Sequence, residues 1–156
     1  MTRAWRIVKT RFSADAFSGE GARLYGGRWN SHGTPMVYTA GSISLATLEL
    51  LAHLDTTLVL PSYSFCSIDF DDTLLKSLDP KTLPAAWRQS PPPTALQLIG
   101  DDWISGNSSA VLKVPSAIVE DENNYLINPM HKDFKNLAIG AMKPFLIDPR
   151  LTSGSR

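Results

Sequence analysis

A single cysteine, Cys66, occurs in 156 residues. No disulfide can form within the chain, and the cysteine usage gives no sign of an oxidising compartment. Net charge is also missing, because 15 Lys and Arg residues are matched by 15 Asp and Glu. Such a chain has no global field to gather nucleic acid or an anionic membrane, so neither is expected as a direct partner. It equally lacks the self-repulsion that keeps solitary domains apart, and a protein partner would fit. Long apolar runs are absent. No stretch approaches the roughly 20 residues needed to span a bilayer. None follows Met1-Thr2-Arg3-Ala4-Trp5-Arg6, so no signal peptide is predicted and the expected address is the cytoplasm.

Most catalytic signatures are missing too. No phosphate loop ends in Gly-Lys-Ser or Gly-Lys-Thr, no Gly-x-Gly-x-x-Gly occurs, and no Gly-x-Ser-x-Gly elbow occurs. His32, His53 and His131 lie far apart and lack metal-ligand spacing, so no metal site is predicted. These absences argue against the commonest kinases, Rossmann dehydrogenases and hydrolases.

What remains is an ordinary domain's worth of chain with 43% hydrophobic residues, enough for a core without crosslinks. Residues 1–151 read as one domain and residues 152–156 as a flexible polar tail. Trp5 to Val8, Met36 to Ala40, Tyr63 to Phe70, Ala110 to Val114, Tyr125 to Ile127 and Lys143 to Ile147 read as strands. Cys66 falls inside the third, where a buried small side chain is the plain reading. Arg11 to Tyr25 reads mainly as loop. Ser42 suits the N-cap of a helix running to about Leu54, apolar almost all round and hence expected to be well buried. A second helix spans Thr94 to Ile104, with Gly106 as its stop. Phe134 to Ala138 reads as a brief helix. Asp71 to Pro93, with Pro91-Pro92-Pro93, reads as a surface excursion without a motif. Several strands with two good helices predict an α+β fold: a compact mixed or antiparallel β core with flanking helices.

Three features carry candidate chemistry. In Gly26-Gly27-Arg28-Trp29-Asn30, the glycines would let a ligand approach the backbone, and Arg28 offers a fork of donors that matches a phosphate. The alternative is a glycine turn with a surface arginine. Glu49 sits in Leu48-Glu49-Leu50-Leu51, where a carboxylate is costly to bury unpaired. Its structural alternative is an ion pair with His53, one turn later. Ser116 follows a strand end in Val114-Pro115-Ser116-Ala117, near the amides of Asn123-Asn124-Tyr125-Leu126-Ile127-Asn128-Pro129. That set could bind sugar hydroxyls or could be turn chemistry alone.

The ordered set resembles the RES-domain family, named for an arginine, a glutamate and a serine. The sequence around Arg28, Glu49 and Ser116 is similar to its pattern. So are the Tyr38 strand entering the glutamate helix, Tyr125-Leu126-Ile127-Asn128-Pro129 followed by His131, and Pro144-Phe145-Leu146-Ile147-Asp148-Pro149-Arg150. The resemblance implies a fold related to ADP-ribosyltransferases and a bacteriostatic toxin held by an Xre-type helix-turn-helix antitoxin. It implies degradation of NAD⁺ at the nicotinamide–ribose bond, with phosphate (as an NAD⁺ phosphorylase) or water as acceptor. NAD⁺ is then substrate, inorganic phosphate a co-substrate, and no cofactor is needed. Glu49 would stabilise the oxocarbenium-like transition state and Arg28 would grip the pyrophosphate. Tyr38 would stack on nicotinamide or donate to a phosphate, while Ser116 and Asn128 would fix the ribose or the nucleophile. Two alternatives remain open: a protein ADP-ribosyltransferase, and a non-catalytic interaction domain in which Arg28 and Glu49 form a structural pair.

Overall fold

The computed structural model describes residues 1–55 and 57–153. Among the described residues eight strands form one sheet: β1 (Thr2–Lys9), β2 (Val37–Ala40), β3 (Tyr63–Phe70), β4 (Leu75–Ser77), β5 (Val111–Pro115), β6 (Asn123–Ile127), β7 (Ala138–Ile139) and β8 (Lys143–Phe145). Their order is β4-β5-β6-β2-β1-β3-β7, and β8 pairs with β3 beside β7. Every pairing is antiparallel except β4 with β5. The architecture is therefore the expected α+β one. Among the described residues no helix is long and apolar enough to cross a membrane.

Strand alternation sorts the core onto two faces. On one face Ala4, Ile68 and Phe70 join Val37, Val111 and Ile127. On the other, Leu112, Val114 and Leu126 pack with Trp29 and Met36 under helix α3 (Thr94–Gly106), which contributes Leu96 and Trp103. Helix α2 (Ile43–His53) covers the same face further along, setting Leu45 and Ala46 against Ala40, Trp5 and Ile7. Helix α3 comes very close to the chain at Trp29: a Cβ on Gly100 would stand 1.6 Å from the Trp29 carbonyl oxygen.

Ser42 caps α2 as read, its side chain accepting from the Leu45 N–H at 3.0 Å. The helix is less buried than its composition suggests, because only Leu45 and Ala46 are fully covered while Leu48 is 42% exposed. Its uncovered side lines a cleft. Arg11 to Tyr25 is not mainly loop: a 3-10 turn spans Thr10–Asp15 and helix α1 spans Glu20–Tyr25. Polar composition hid α1, which is tied down by the Asn30 amide on the Ala22 carbonyl and by Ala22 packing against the core under α3. Asn107, not Gly106, ends α3 in the left-handed conformation (φ 49°), a role asparagine tolerates. The brief helix near Phe134 is a 3-10 turn over Lys132–Asn136. A short helix α4 (Pro149–Thr152) reaches into the segment read as tail, of which residues 154–156 lie outside the described residues. Cys66 is buried as read, and that burial raises its thiol pKa, with Arg6 acting in the opposite direction.

Candidate active site

The sheet is joined only briefly at its middle. β1 runs with β3 from Thr2↔Phe70 to Lys9↔Tyr63, but meets β2 at the single pair Trp5↔Ala40. Arg6 fills the opening, donating from Nη1 to the Tyr38 carbonyl at 2.8 Å and from Nε to that of Ala16. Its guanidinium has no carboxylate within salt-bridge reach among the described residues. Burial pushes it down to about 10. Above this split lies a cleft of about 910 Å³, lined among others by Arg6, Arg28, Tyr38, Glu49, Arg88 and Asn124. A second hollow of about 390 Å³, between Phe17 and Phe134, holds none of the candidate residues.

Glu49 projects from the middle of α2 into the cleft. Its Oε1 accepts from the Ser116 hydroxyl at 2.8 Å and from the Asn124 amide at 2.7 Å. Oε2 has no hydrogen-bond partner among the described residues. One oxygen is thus anchored and the other is left to the cleft. The Glu49–His53 ion pair does not form: His53 lines the cleft and is exposed, and Glu49 is held by partners from β5 and β6 instead. Arg28 and Glu49 form no salt bridge either, which removes the structural-pair basis of the interaction-domain alternative.

Ser116 stands just past β5 and is fully buried. Besides donating to Glu49, its Oγ accepts the N–H groups of Ile118 and Val119, both at 3.1 Å. It does not line the cleft; it acts on the carboxylate, with no opening toward a sugar.

Arg28 sits in a small hairpin bridged at Gly27↔Asn30. Its Nη1 donates to the carbonyls of Trp87 at 2.9 Å and Gln89 at 2.8 Å. With both Nη1 protons engaged, the Nε–Nη2 edge remains for a ligand. Burial lowers its pKa, while the Glu49 carboxylate acts in the opposite direction. Both carbonyls belong to the Asp71 to Pro93 excursion, so this segment without a motif forms part of the site.

Tyr38 lines the cleft but its hydroxyl is engaged, donating to Asn30 Oδ1 at 2.6 Å and accepting from the Trp29 N–H at 3.0 Å. Burial raises the phenol above its usual range, so it serves as a neutral brace. This also explains Gly27, where a Cβ would fall 2.6 Å from the Tyr38 hydroxyl. The glycine makes room for the tyrosine. Asn128 is not brought together with the others. It is fully buried at the end of β6, bonded to Asn107 Oδ1 and to the Met130 N–H at 3.0 Å each, and it is absent from the cleft wall.

The model of the RES domain matches residues 3–148. The chain belongs to the RES-domain family. A RES protein from Photorhabdus laumondii named Toxin Res is 42% identical over 154 residues, covering 97% of this chain and 98% of the relative. A Toxin Res from Yersinia enterocolitica is 40% identical, covering 94% and 97%. A Sphingobium relative named Prs ADP-ribosylating toxin is 37% identical, covering 96% of each. Among solved structures, a chain of the M. tuberculosis MbcT–MbcA toxin–antitoxin complex has the same fold, with a TM-score of 0.75 at 21% identity over 97% of this chain and 86% of that one.

Within this RES domain, sequence reasoning passed over three cleft residues. Asn124 was legible only as part of an amide run; pairing with Ala40 and Val114 carries it to Glu49. Arg6 looked like an ordinary strand residue, and no sequence signal marks the split it fills. Arg88 lay in the excursion, where nothing suggested a fork bonded to the Ala117 carbonyl at 3.0 Å and to Glu120 at 3.1 Å.

Proposed function

We propose that this RES-domain chain is the toxin of a toxin–antitoxin pair and that it cleaves the nicotinamide–ribose bond of NAD⁺. The observation that carries the reading is a carboxylate, Glu49, with one oxygen fixed by Ser116 and Asn124 and the other unpartnered in the cleft, beside the half-engaged fork of Arg28. Loss of neutral nicotinamide leaves positive charge on the ribose. A carboxylate already oriented before reaction stabilises that charge without having to reorganise. The open Nε–Nη2 edge of Arg28 suits the two oxygens of a phosphate in the NAD⁺ pyrophosphate. Tyr38 and Asn30 keep the Arg28 hairpin in place, and Ser116 acts by aiming Glu49.

Inorganic phosphate or water serves as acceptor in this reading, giving an NAD⁺ phosphorylase or glycohydrolase. Transfer to protein is a second reading, favoured by the name of the Sphingobium relative. We propose an Xre-type helix-turn-helix antitoxin as the partner that restrains the enzyme in the cytoplasm. Tyr25, at the cleft and 79% exposed, offers such a partner an apolar contact.

The test is to follow nicotinamide release by the purified chain, free of any partner, with and without phosphate. Parallel reactions contain labelled NAD⁺ and cell extract. Nicotinamide release without protein label supports degradation, and a phosphate-dependent rate selects phosphorolysis. Label on protein selects transfer. No NAD⁺ consumption, together with harmless high-level expression at unchanged cellular NAD⁺, would remove the enzymatic reading.

A further inference from the structure

The tripeptide Trp87-Arg88-Gln89 touches both halves of the site. Its backbone carbonyls at Trp87 and Gln89 receive Arg28 Nη1. Between them, the Arg88 side chain crosses to the loop after β5, donating from Nε to the Ala117 carbonyl at 3.0 Å and from Nη2 to that of Ile118 at 3.5 Å. That loop is the turn whose interior is organised by Ser116 Oγ, which holds the N–H groups of Ile118 and Val119 and donates to Glu49. The turn is therefore gripped from inside by Ser116 and from outside by Arg88. Trp87 fixes the tripeptide by packing against the core cluster under α3.

We propose that Arg88 is a positioning residue for the reaction: it fixes the Ser116 turn, through which it sets the direction of the Glu49 carboxylate, in register with the Arg28 held by its neighbours. The energetics fit positioning better than stability. The Arg88–Glu120 ion pair is open to solvent, with side chains 45% and 62% exposed, and such pairs contribute little. A guanidinium bonded to the Ala117 carbonyl at 3.0 Å, with its other edge turned toward that of Ile118, by contrast restrains the orientation of a loop. A displacement of about 1 Å at a catalytic group is enough to cost about 100-fold in rate. The inference rests on Glu49 being the catalytic carboxylate.

The experiment measures steady-state NAD⁺ consumption and thermal unfolding for the wild-type chain and for Arg88→Ala, Arg88→Lys, Glu120→Gln, Ser116→Ala and the Arg88→Ala/Ser116→Ala pair. Arg88→Ala should lower kcat about 10- to 100-fold with little change in KM for NAD⁺ and little change in melting temperature. Arg88→Lys, which can still reach one carbonyl, should recover part of the rate, and Glu120→Gln should stay near wild type. The double variant should lose about as much as Ser116→Ala alone, because both residues act through one turn. A kcat within about twofold of wild type in Arg88→Ala, a loss appearing as KM alone, or fully additive losses in the pair would overturn the proposal. Should Arg88→Ala unfold, Arg88→Met, which keeps the apolar stem without any donor, takes its place under the same criteria. Glu49→Gln, run alongside, separates the two ideas: if it keeps wild-type turnover, or if wild type consumes no NAD⁺, the functional reading itself has failed.

Discussion

Glu49→Gln is the sharpest test of the site, because the structure separates what the substitution keeps from what it removes. The amide oxygen can accept the two bonds now made to Oε1 by Ser116 and Asn124. The amide nitrogen then takes the place of the unpartnered oxygen in the cleft. Two charge-assisted hydrogen bonds become neutral ones, a loss of about 1 kcal/mol each. For a domain of this size that lowers the melting temperature by about 4–8 °C and leaves the fold intact. Catalysis loses much more. The charge facing the ribose disappears, and removing one preorganised electrostatic group of this kind typically costs about 3–4 kcal/mol of transition-state stabilisation, or about 100- to 1000-fold in kcat. The assay is NAD⁺ consumption at saturating substrate, paired with a circular-dichroism melt of the same preparation. Turnover within about threefold of wild type in a folded Glu49→Gln protein would refute the assignment. Unfolding would show that the carboxylate's charge serves the fold rather than the reaction.

Further outcomes follow from the same geometry. Arg28→Lys keeps the charge but cannot hold Trp87 and Gln89 while also presenting an open edge, so KM for NAD⁺ should rise about tenfold or more in initial-rate measurements; near-normal kinetics would place Arg28 outside the binding site. Tyr38→Phe strands Asn30 Oδ1 and the Trp29 N–H, which should cost about 1–3 kcal/mol and lower the melting temperature by about 3–9 °C. A rate defect with an unchanged melt would mean that the hydroxyl acts on substrate. Gly100→Ala, a favourable change in most helices, drives a Cβ to 1.6 Å from the Trp29 carbonyl and should destabilise by more than about 3 kcal/mol, read as a melting temperature lowered by about 10 °C or as loss of soluble protein.

The sequence determined whatever depends on neighbours along the chain. Alternating β-rich runs placed β3 from Tyr63 to Phe70, and a capping serine placed the start of α2, because strand periodicity and N-cap bonding are local. The ordered spacing of Arg28, Glu49 and Ser116 was enough to suggest the family. Local rules failed where a residue's role is set by a distant partner. α1 was missed because what ties it to the fold, the Asn30 amide on the Ala22 carbonyl, lies outside any hydrophobic pattern. His53, one turn away, was the natural partner for Glu49 in sequence. The sheet instead delivers Ser116 and Asn124, 67 and 75 residues distant. The split between β1 and β2, the engagement of Arg28 by the excursion and the removal of Asn128 from the cleft are likewise tertiary decisions. Each depends on strand register and loop path, which set distances between side chains far apart in sequence, and a hydrogen bond forms only when those distances fall near 3 Å.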